Sequence, residues 1–240
     1  MAYGLGSCAM EMADFVSRTR AGEIITSEMR LSDKPTCVRP VVAAFLRTWN
    51  DALDDDDRAR LITPELILLA LDTHTTDDDD RTAAWLAVDW IVRVHAPPFF
   101  ELAGLGEHAA TLRALAPIVD DDSAEMARGP VTAARTAAVR MADAADVAVW
   151  AAVRMADDAA DAAVRRAAAK AAVASARALE AEAASAAASA AWAAAATSWA
   201  WAKAEKTAAA AEAWSILSHT VAELQLSAVD LVQRMCAVGR

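Results

Sequence analysis

Asp157-Asp158-Ala159-Ala160-Asp161 is the sharpest chemical spacing in the chain. On a helix it sets carboxylates one turn apart on a single face, an arrangement suited to a hard divalent cation such as magnesium. Three other acidic runs, Asp54–Asp57, Asp77–Asp80 and Asp120–Asp122, invite a calcium reading. None has the alternating oxygen ligands, central Gly and closing Glu of an EF-hand loop. Each lies just before an expected helix, where acids complement the N-terminal dipole, and helix starts are the better reading.

The Asp157–Asp161 cluster has the DDxxD form that holds magnesium and diphosphate in all-helical terpenoid synthases. A facing motif of acid, hydroxyl and acid is missing. Asp161 also precedes Arg165 by one turn, an ordinary surface pair. A solvated helix face is therefore preferred, with a magnesium-dependent, diphosphate-using or other small-molecule-binding protein as the alternative. His74, His95, His108 and His219 show no metal spacing, although His219 and Glu223 are i,i+4. Cys8 and Cys37 could share a ligand set with Asp33, but buried thiols acting as small hydrophobes are the simpler reading. No phosphate loop, nucleophile elbow or Ser/His/Asp set stands out, so no catalytic, cofactor or metal residue is assigned. The aromatic residues Trp192, Trp199, Trp201 and Trp214 remain as candidate interaction residues, set in Ala-rich helix where they either fill a core or mark an interface.

The net charge of −11 and pI near 4.8 argue against a nucleic-acid partner, whose phosphates call for Lys and Arg. An odd number of widely spaced cysteines makes no disulfide framework, and the N-terminus lacks the basic start and apolar run of a signal peptide. A cytoplasmic home is expected. The uncharged window Ala183 to Ala202 is long enough to span a bilayer, but it is Ala and Ser with Trp and holds no Leu, Ile, Val or Phe. A soluble helix is expected there.

The elements that would position these residues are helical throughout. Ser7 is placed to cap a helix through Phe15, followed by irregular chain from 17 to 39. Pro40 opens a helix whose Val42, Phe45, Leu46, Trp49 and Leu53 form one buried face. Thr63-Pro64-Glu65 is a helix start before Leu66 to Leu71. Arg81 to Ala96 is apolar on nearly every side, with Asp89 and Arg93 spaced to pair, and Pro97-Pro98 is expected to stop it. Phe99–Leu105, Glu107–Leu115 and Ser123–Arg128 read as short helices punctuated by Gly104, Gly106 and Gly129. No alternating strand pattern appears.

From Val131 to Val238 there is neither Gly nor Pro, and Ala dominates. With the best helix former present and both breakers absent, helix is the expected state. Ala138-Val139-Arg140-Met141-Ala142-Asp143 recurs as Ala152 to Asp157, fourteen residues on. One unbroken helix would be on the order of 160 Å long at 1.5 Å per residue, so turns are expected near Asp157–Asp161, Ser175 or Thr197-Ser198. At the far end Trp214, Leu217, Val221, Leu224, Ala228, Leu231 and Met235 step by three and four. That seam suits a core-facing bundle helix, or second best a coiled coil.

Gly6-Ser7-Cys8-Ala9-Met10-Glu11, Ser32 to Val42, Trp49-Asn50-Asp51 and Ala87 to His95 resemble a group of bacterial and phage proteins of unassigned function, common in high-GC actinobacteria. Many of them end in an Ala-rich tract carrying Ser and Trp. Members often carry His beside the Ser-Asp and before the Pro-Cys, where this chain has Leu31 and Lys34. The resemblance implies a helical domain with an Ala-rich tail and supplies no activity.

The expected architecture is all-α: a compact N-terminal helical domain over 1–129, then Ala-rich helices over 130–240 forming a hairpin or bundle with a heptad-patterned last helix. The expected role is a non-enzymatic interaction or assembly protein, a homo-oligomer or the binder of a protein partner, with no cofactor and no membrane.

Overall fold

The computed structural model describes residues 9–26, 29–33, 35–73, 76–152 and 208–240, with side chains described up to residue 142 and again from 217. The protein is all-α. Its helices are α1 (Ala9–Arg20), α2 (Pro40–Ala52), α3 (Asp55–Leu61), α4 (Pro64–Ala70), α5 (Asp77–Trp90), a π-helical turn (Ile91–His95), α6 (Ala96–Leu102), α7 (Gly106–Arg113), α8 (Asp121–Ala152) and α9 (Ala208–Ala237). Among the described residues the sole extended pairing is an isolated antiparallel bridge between Val38 and Leu71. No described helix is long and apolar enough to cross a membrane.

Local chemistry sets the helix starts. Thr63 accepts from the Leu66 amide with Pro64 in the first turn of α4, and Thr76 does the same for Asp79 ahead of α5. Asp54 caps α3, and Asp120 accepts from the Ser123 amide at the start of α8. The acidic runs thus stand in first turns, where they satisfy donors and complement the helix dipole.

Packing gathers the described helices into two main apolar clusters, with a small third formed by Ala103 and Ala142. The first joins Met10 and Ala13 of α1, the predicted face of α2 (Val42, Phe45, Leu46, Trp49), and Leu66, Ile67, Ala84 and Trp90. The second joins Val88 and Val92 with Phe99, Phe100, Leu112 and Ile118. α9 belongs to both. Leu217 and Leu224 enter the second cluster, while Ala228, Leu231, Val232, Met235 and Cys236 complete the first. Every described position of the heptad seam is buried, so the seam faces the preceding helices. Each Leu or Val buried this way contributes roughly 1.5–3 kcal/mol.

Three boundaries differ from expectation for physical reasons. α1 runs on to Arg20, helped by the Arg18–Asp14 pair at 3.1 Å. Pro97-Pro98 does not end the helical run. The chain widens into the π-helical turn, the Ala96 amide reaches back to the Ile91 carbonyl, and the prolines fall in the first turn of α6, where no amide is needed. Nor does the short helix Ser123–Arg128 end at Gly129. It is the start of α8, which carries Pro130 inside it.

Candidate functional site

Among the described residues, an extended polar arrangement lies where α9 is seated. Pro40 forces the residue before it into extended backbone, and Arg39 has φ −51 and ψ 132. Its amide donates to Thr73 Oγ1 at 2.9 Å, and that hydroxyl donates in turn to the Ala70 carbonyl. The Arg39 side chain is fully buried. Nη1 donates to the Met235 carbonyl at 2.7 Å and Nη2 to the Val238 carbonyl at 3.0 Å. These are the carbonyls that a helix C-terminus leaves without intrahelical partners, and the cation complements the negative end of the dipole. Asp80, one turn into α5, supplies the counter-charge with Oδ1 3.0 Å from Arg39 Nε.

The seat is reciprocal. Arg240 Nη2 donates to the carbonyls of Leu69 and Leu71, closing the end of α4 as Arg39 closes α9. Between them Gly239 adopts φ 74, and a Cβ there would come within 2.8 Å of the Asp79 carboxylate. Higher up α9, the Trp49 indole N–H donates to Gln225 Oε1 and the Trp90 indole N–H to Ser227 Oγ at 3.0 Å.

No family model, curated protein or solved structure matches this chain.

The sequence candidates are distributed as follows. Trp192, Trp199, Trp201, the Asp157–Asp161 cluster and the window Ala183 to Ala202 lie outside the described residues. Trp214 is in α9, its side chain outside those described. His219 and Glu223 form an exposed i,i+4 contact at 3.2 Å. His95 lies on the π-helical turn with its ring 5.0 Å from that of Trp90 and 5.3 Å from that of Phe99, and burial pushes its pKa down to about 3. It is neutral at ordinary pH. Cys8 lies outside the described residues; Cys37 packs half-buried on the first cluster, and burial pushes the Cys236 thiol up to about 11. Among the described residues no three His, Cys, Asp or Glu side chains gather closely enough to hold a metal ion.

Open depressions mark the surface formed by the described residues. One, of about 550 Å³, brings Glu11, Arg30 and Asp33 together between α1 and the following loop. Another, of about 760 Å³, runs along α8 with His108 of α7 as one wall.

The pairing of Arg39 with Asp80 is not among the features expected from the sequence, where Asp80 figures only within the Asp77–Asp80 helix start. The signal was present: an arginine set in Val38-Arg39-Pro40-Val41-Val42 is bounded by apolar residues, and a buried arginine requires a partner. Which acid supplies it cannot be read locally, because the Asp77–Asp80 run also serves as a helix start.

Proposed function

We propose that this chain is a non-enzymatic interaction or assembly protein that holds its Ala- and Trp-rich tract on a helical base. The tract folds back as a hairpin or bundle in this reading. Trp192, Trp199, Trp201 and Trp214 contact a second copy or a protein partner. A cytoplasmic setting is part of the proposal, in keeping with the free thiols of Cys37 and Cys236.

One observation carries the reading. Ala127, Val131, Ala134 and Ala138 of α8 and Leu217 and Leu224 of α9 enter the same apolar cluster, so the chain leaves and rejoins one base. The Arg39 seat then fixes α9 at its far end. Such investment in anchoring both ends suits a segment that is to be presented, and Ala faces allow close approach by another helix.

Light scattering of the full chain across a dilution series tests it. The expectation is a mass above 25.3 kDa that falls when Trp192, Trp199 and Trp201 are all changed to Ala. A mass that the triple change leaves untouched would count against the Trp residues as the contact.

A further inference from the structure

We draw no further inference here: the strongest candidate, the open depression along α8 floored by Gly129, Thr132, Ala133 and Thr136, is a stripe of small residues whose Glu125 is already paired with Arg128 on the same face, and nothing in the structure shows what covers it.

Discussion

Arg39 and Asp80 pair at 3.0 Å, and the same guanidinium donates to the carbonyls of Met235 and Val238. One buried cation thus ties α2, α5 and the end of α9 into a single contact. Removing one member of a buried pair leaves the other desolvated and unmatched, at a cost of about 3–5 kcal/mol. Arg39→Ala should lose stability in that range, and Asp80→Asn should lose less because Asp80 keeps some solvent contact. Urea unfolding followed by circular dichroism measures both. An Arg39→Ala protein as stable as the parent would remove the seat from the account.

The two indole contacts on α9 differ in burial, which makes them separable. Trp49→Phe keeps most of the apolar volume but leaves buried Gln225 without that donor, at a cost of about 1–3 kcal/mol. Trp90→Phe releases Ser227, which retains its bond to the Leu224 carbonyl at 2.8 Å, and should cost less. Chemical denaturation of the two variants gives the order.

The seam predicts a contrast along one helix. Leu231 is fully buried in the first cluster and Leu226 is more than half exposed. Leu231→Ala should destabilise by about 2–5 kcal/mol and Leu226→Ala by no more than about 0.5 kcal/mol. Equal effects would mean that the seam does not face the base.

His95 predicts a pH dependence with a definite sign. Its pKa falls from 6.5 in the open chain to about 3 in its aromatic pocket, because burial penalises the charged ring. Between those values the unfolded chain takes up a proton that the folded protein refuses. Stability from this group is complete above pH 6.5 and drains as the pH falls, by up to about 1.4 kcal/mol per unit. Glu101 and Asp120, both held low by hydrogen bonds from Arg113 and Ser123, add losses of the same sign only in the carboxylate range, ~4. The stretch just below pH 6.5 therefore isolates the histidine. His95→Leu should flatten the stability profile there, as thermal melts at successive pH values would record.

Much of this fold can be read from local pattern. The 3.6-residue period gave the buried face of α2, the Thr-Pro-Glu sequence gave the start of α4, and the three-four steps of α9 gave its buried side. What escaped depends on context. Two prolines read as a stop because their missing amides break an α-ladder, yet a turn widened by one residue moves them to a helix start. Pro130 sits inside α8 beside exposed Met126, the residue one turn back whose carbonyl it leaves unbonded, and water can reach that position. Arg39 and Met235 lie 196 residues apart, and no periodicity links them. The candidate interaction site was legible only as composition, since an Ala-rich helix with Trp names neither its partner nor the face it presents.

The division of α9 between two clusters has a consequence for how the protein is made. Trp90 waits for Ser227, 137 residues later, and the cleft that α9 fills is lined by apolar side chains until that helix arrives. At about 5–20 residues per second the interval lasts roughly 7–27 s on the ribosome. Throughout it the nascent chain lacks the helix that covers this apolar cleft. Variants that weaken the base should then show their damage first as poor yield during expression, before any loss of helicity in the purified protein.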